Sequence, residues 1–219
     1  MMISPETYYD TYLKGKTPTQ ILSKINGLKR EISHLKFEIE RGDEDLICPD
    51  RRTMLYCNKL YLQRAIKAYE EAGGVYELTR NELTAKDFED NIPYISKIIF
   101  SIGGFFSGNN TITIDLSSDK VIRSYGNPQF DIPETITDSS EWFMTKDEFL
   151  EELKELQLGE WRRHYDTRRF GEIVLDGTQW ELKVEYSNGH KPFGSYGDNA
   201  YPYNFDRFGE LLGINAVEE

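Results

Sequence analysis

Apolar residues in the first third of the chain recur at helical spacing. Ile21, Ile25, Leu28, Ile32, Leu35 and Ile39 alternate steps of four and three, a narrow seam of the coiled-coil type. Thr17-Pro18-Thr19-Gln20 before it has the spacing of a capping box with Pro at the first helical position, and Arg41-Gly42 follows as a stop. The pattern predicts a helix from Pro18 to Arg41, roughly 36 Å long at 1.5 Å per residue. Upstream, Ser4-Pro5-Glu6 opens a short helix carrying Tyr8, Tyr9, Tyr12 and Leu13 that stops at Gly15. Downstream, another helix begins near Pro49-Asp50 and ends at Gly73-Gly74. It has two apolar faces, one of Leu55, Leu62, Ile66 and Tyr69, the other of Met54, Cys57, Tyr61, Ala65, Ala68 and Ala72. A narrow seam and a two-faced helix predict an antiparallel hairpin with a third element on its second face. Either the N-terminal tyrosine segment or a second chain could fill that place.

From Tyr94 the period changes to two. Tyr94 to Ile102 is β-rich, Thr111 to Leu116 alternates, and Lys120 to Tyr125 reads as a third strand. Thr145-Lys146-Asp147-Glu148 is a second capping box, opening a helix with Phe149, Leu150, Leu153 and Leu156 inward. The order then recurs. Phe170 to Leu175 reads as a strand, Asp176-Gly177 as a tight hairpin, Gln179 to Tyr186 as a strand, and His190 to Tyr196 as another. Asn204 is placed to cap a last helix carrying Phe205, Phe208, Leu211 and Leu212. The fold class is therefore α+β. A helical, coiled-coil-like hairpin domain occupies residues 1–80. A mostly antiparallel sheet with two helices, in βββα-βββα order, occupies 81–219.

Charge changes this picture by region. The net charge is −12, made of +1 over residues 1–80, −10 over 81–160 and −3 over 161–219. Between Asp131 and Glu160 stand ten carboxylates and two lysines, followed at once by Arg162, Arg163, Arg168 and Arg169. Such a chain is a poor host for a polyanion, so direct nucleic-acid binding is not expected. A partner with a basic surface is. The longest uncharged stretch, Ile98 to Ile114, is broken by glycines and asparagines, so no membrane span is expected. The first residues lack a basic and an apolar region, and Cys48 and Cys57 are too few for a disulfide framework. A cytoplasmic location with free thiols is the expectation.

Candidate chemistry is sparse. His34, His164 and His190 are scattered with no nucleophile elbow, and the two cysteines lack the paired partners of a structural zinc site, so no metal and no cofactor is expected. Gly103-Gly104-Phe105-Phe106-Ser107-Gly108 leads into a strand rather than a helix, which fits a hairpin turn and not a phosphate loop. One enzyme reading remains, a metal-dependent nuclease. Glu172, Asp176 and Glu181 would hold a divalent ion and Lys183 would stabilise charge at the phosphate. Against it, Glu181, Lys183 and Glu185 are also the outward half of a strand whose inward half is Trp180, Leu182, Val184 and Tyr186. Arg162 and Asp166 stand at i,i+4 spacing, and pairing of the arginine run with the acidic block competes with a partner for those charges. The aromatic tail from Tyr196 to Phe208 is read as closing the core of the sheet.

Two stretches carry a resemblance. Leu175 to Leu182 with Asn199 to Phe205, and Ala68 to Gly74 after the hairpin, resemble uncharacterised proteins of mobile elements in Gram-positive anaerobes. By context, that resemblance implies an anti-defence role of the anti-CRISPR class. The resulting expectation is a non-enzymatic acidic protein-binding inhibitor that blocks a nucleic-acid-binding groove of a Cas effector. Asp138, Glu141, Asp147, Glu148, Glu151, Glu152 and Glu155 would meet the partner. Ile21, Ile25, Leu28, Ile32, Leu35 and Ile39 would support a homodimer through the N-terminal hairpin. A purely structural dimerising protein is the third reading.

Overall fold

The computed structural model describes residues 2–42, 48–104, 108–126, 144–174 and 176–214. The chain divides into two compact units, 1–78 and 79–219.

The first unit is helical. Ser4 caps α1 (Pro5–Tyr8), its Oγ accepting the Thr7 N–H at 3.1 Å, and a π-helical turn continues to Leu13. α2 (Pro18–Arg41) starts with the expected reciprocal box: Thr17 accepts from the Gln20 N–H while Gln20 accepts from the Thr17 N–H. α3 (Arg51–Glu71) is capped by Asp50, which accepts the Thr53 N–H at 2.9 Å. The seam assigned above to oligomerisation is covered within the chain itself. Ile21, Ile25, Leu28, Ile32 and Leu35 are buried and Ile39 is half-buried, with α3 packed along α2. The physical reason is proximity. A partner helix tethered by a short connection loses far less entropy on docking than a second molecule does.

The N-terminal segment supplies the third element. Tyr8 stacks on Tyr61 with ring centroids 4.4 Å apart, and the Tyr61 hydroxyl donates to the Ile3 carbonyl at 2.7 Å. The Arg64 guanidinium lies 3.7 Å over the Tyr9 ring and pairs with Glu6 at 3.1 Å.

The second unit is α+β. α4 (Arg80–Asn91) leads into a six-stranded sheet of order β3-β2-β1-β5-β6-β4. The strands are β1 (Ile95–Gly104), β2 (Gly108–Asp115), β3 (Ile122–Gly126), β4 (His164–Asp166), β5 (Thr178–Tyr186) and β6 (Phe193–Asp198). α5 (Lys146–Glu155) stands between β3 and β4 in the chain, and α6 (Phe205–Leu212) follows β6. All pairs are antiparallel except β4 with β6. Register puts Ile98 beside Ile114 and Val184, and Phe100 beside Ile112 and Leu182. That face is buried with Phe88 of α4, Phe149 and Leu153 of α5, and Phe208, Leu211 and Leu212 of α6. The opposite face carries Lys97, Thr113, Glu181, Lys183 and Tyr196, and the buried residues of α4, α5 and α6 named above are not on it. Among the described residues, no helix is long and apolar enough to cross a membrane.

Three expectations are corrected. The strand and hairpin from Phe170 onward are absent through Val174. Asp166 instead accepts the Arg168 N–H at 2.8 Å and starts a 3-10 turn, Thr167–Phe170, which Gly171 ends at φ +80°. Local hydrogen bonding of an Asp side chain wins over strand propensity there. The edge strand is β4, earlier in the chain and parallel to β6, so the second three strands are not paired as the first three are. The last strand runs to Asp198 rather than Tyr196. Finally, Asn204 makes no capping bond. Its side chain turns inward, accepting the Trp161 indole N–H at 2.8 Å and donating to the Leu156 carbonyl. α4 was not foreseen, although Thr79 and Glu82 form a third reciprocal capping box.

Candidate functional site

α5 is built by its sequence from both ends. Glu148 Oε2 accepts both the Thr145 N–H and hydroxyl at 2.8 Å, which fixes the first turn and holds the Glu148 carboxyl below its usual range. Phe149 and Leu153 are fully buried and Leu156 nearly so, which anchors one face. Asp147 and Glu148 in the first turn and Lys154 in the last also suit the helix dipole.

The other face is acidic. Asp147, Glu151, Glu152 and Glu155 are exposed, and among the described residues they make no ion pair. Asp147, Glu151 and Glu155 are spaced i, i+4, i+8, a row with steps of about 6 Å along the axis. Glu148 is set apart from this row because its carboxylate is engaged in the cap. Asp138 and Glu141 lie outside the described residues.

The stretch from Arg162 to Asp166 is not helical and ends in β4, so the expected i,i+4 spacing of those two residues has no geometric meaning. Trp161 is buried in the core, and Arg162 lies 4.1 Å over the Tyr165 ring. Asp166 is engaged by Arg168 instead, with Arg168 Nε donating at 2.7 Å. The Arg168 side chain first, then its backbone N–H, hold the Asp166 carboxyl down at about 2. His164 and Tyr196 stack across the β4–β6 pair with centroids 4.7 Å apart, on the face of the sheet opposite the core.

The residues of the nuclease reading are not gathered. Glu181 and Lys183 project from the face of β5 opposite the core, and the Lys183 ammonium pairs with Glu185. Glu172 and Asp176 are exposed before β5. Among the described residues, no three His, Cys, Asp or Glu side chains meet in a way that could hold a metal ion. Cys48 is exposed and Cys57 half-buried, both free.

The aromatic tail is core. Phe205 and Phe208 pack against Trp161 and Phe100, and Trp180 donates its indole N–H to the Ala200 carbonyl at 2.9 Å. Gly197 makes room for that indole, since a Cβ there would stand 2.3 Å from Trp180 Nε1. Only Tyr196 of the tail is prominently exposed, at 46%.

One polar cluster had no sequence signal, because its members are far apart in the chain. It joins α4 to the β5–β6 turn. His190 Nε2 lies 3.1 Å from Asp87 Oδ2, Asn188 Nδ2 donates to Asn91 Oδ1 at 2.9 Å, and the Ser187 N–H donates to the Tyr94 carbonyl at 2.8 Å. The neighbouring Tyr186 hydroxyl is raised well above the usual tyrosine range, first by burial and then by the Asp87 charge. Comparison of the chain with protein-family models, with curated proteins and with solved structures finds no match.

Proposed function

We propose that this chain is a non-enzymatic, acidic protein-binding inhibitor, and that the outer face of α5 occupies a Lys/Arg-lined, nucleic-acid-binding groove of another protein. One observation carries the reading: Asp147, Glu151, Glu152 and Glu155 are exposed and without ion pairs among the described residues, on a helix fixed by a capping box and a buried apolar face. Carboxylates on a rigid frame lose little entropy on docking and can stand in for phosphates. A CRISPR effector, whose nucleic-acid channel is positively charged, is the partner suggested by the resemblance to mobile-element proteins.

The test is competition. A guide-loaded effector is titrated with the protein while its binding to target DNA is followed. The expected result is a dose-dependent loss of DNA binding that weakens as salt rises and disappears in the Glu151→Lys, Glu152→Lys, Glu155→Lys variant. Glu148 is kept, because its reversal would remove the cap as well. Inhibition that is indifferent to salt, or that survives the triple reversal, refutes the acidic-face reading.

A further inference from the structure

The β5–β6 turn reads Ser187-Asn188-Gly189-His190. Asn188 and Gly189 are exposed, and Gly189 adopts φ +79° with nothing within 4 Å of the place a Cβ would take. Asn188 Oδ1 accepts the His190 backbone N–H at 3.0 Å. That bond closes an Asx turn over the Asn188–Gly189 peptide, with the carboxamide folded back toward the backbone that follows it. A donor on Oδ1 also withdraws electron density from the same carbonyl, as in an oxyanion site.

We propose that Asn188 is a modification site, deamidated by attack of its own backbone. The Gly189 peptide nitrogen gives its proton to solvent base and forms a bond to Asn188 Cγ. The Cγ–Nδ2 bond breaks, and the nitrogen takes up a proton and leaves as ammonia. Water then opens the cyclic imide at either carbonyl, giving aspartate or isoaspartate, with no change of oxidation state. Glycine matters at the second position because no side chain shields the attacking nitrogen. The chain holds a second Asn-Gly pair, Asn26-Gly27, inside α2. There the helical backbone engages the Gly27 N–H and keeps it from Asn26 Cγ, so that pair is an internal control.

The product has a structural consequence. Asn188 Nδ2 now donates to Asn91 Oδ1 at 2.9 Å, beside the Asp87–His190 pair. A carboxylate in its place loses that donor and faces the Asn91 oxygen and the Asp87 charge, so the link between the turn and α4 weakens.

The test is incubation of the folded full-length protein in mildly alkaline buffer, with peptide mass spectrometry at intervals and enzymatic methylation to detect isoaspartate. The expected result is an amide-to-acid mass gain confined to the peptide containing Asn188, with isoaspartate present and Asn26 unchanged. Asn188→Gln, which would need a larger and slower ring, should abolish the acidic shift on isoelectric focusing. In denaturant the two sites should converge. An Asn188 peptide that stays unmodified overturns the proposal, as does equal conversion of Asn26 and Asn188 in the folded protein.

Discussion

Asn204 concentrates what single residues contribute here. It is buried, and its carboxamide satisfies two other buried groups, the Trp161 indole N–H and the Leu156 carbonyl. Asn204→Ala leaves both without a partner and should cost about 2–4 kcal/mol, since each orphaned buried group costs roughly 1–3. A shift of the urea midpoint with an unchanged slope would register it. The sequence places this Asn before an apolar run, which is the signature of a cap. Its real partners are 43 and 48 residues away and leave no local trace. Asp166 gives a pH prediction at the same scale. Its carboxyl is held at about 2 by Arg168, below the unfolded value of ~3.9. A group lowered on folding stabilises above its unfolded value, and that contribution fades as pH falls through the folded one. Because the pair is exposed, its contribution to stability is small and solvent-screened. Arg168→Ala should raise the Asp166 midpoint toward the ordinary carboxylate range in an NMR titration, and an unmoved midpoint would show that Arg168 is not its cause.

At the scale of elements, the seam of α2 teaches how far periodicity reaches. The pattern of Ile21 to Ile39 predicted the helix and its buried stripe, and its partner is α3 of the same chain. Ile25 is fully buried there. Ile25→Ala should therefore cost about 2–5 kcal/mol, as a large-to-small core change does. If the seam covered by α3 makes no contact with a second copy, the melting temperature of both proteins should stay independent of concentration. A melting temperature that rises with concentration would support the dimer. α2 and α5 were legible because a local cap, Thr17 with Gln20 or Thr145 with Glu148, precedes an apolar stripe, whereas α4 has as local a cap but only Phe88 buried behind it. Strands β1, β2, β3 and β5 were legible from alternation. β4 was not, since three residues carry no period, and its pairing with β6 depends on Tyr165 entering a core built from distant segments. The α5 carboxylates could be placed on the outer face from sequence, but whether the arginines neutralise them could not. That depended on Arg168 turning to Asp166 and Arg162 to the Tyr165 ring.

The whole molecule carries −12, with most of the excess between residues 81 and 160. A field of one sign acts on encounter more than on the bound state, because it steers a partner over distances that short contacts cannot reach. If the acidic face of α5 docks a basic groove, association should slow steeply as salt shortens the Debye length from roughly 10 Å at 0.1 M toward 3 Å at 1 M. Dissociation should change much less. Reversing Glu151, Glu152 and Glu155 to Lys adds two charges at each position and moves the net charge from −12 to −6. Half of the long-range field then remains while the local face is inverted. The two effects separate in surface-plasmon kinetics. Loss of global charge alone lowers the association rate in proportion at every salt concentration where steering operates. Inversion of the docking face itself also raises the dissociation rate, and added salt cannot restore it. As a control, three substitutions to Lys among exposed acidic residues outside α5, such as Glu89, Asp90 and Glu210, produce the same net charge. The α5 variant should lose far more affinity than this control. Equal losses would mean that the partner reads only the overall charge, and that α5 is an ordinary solvated helix.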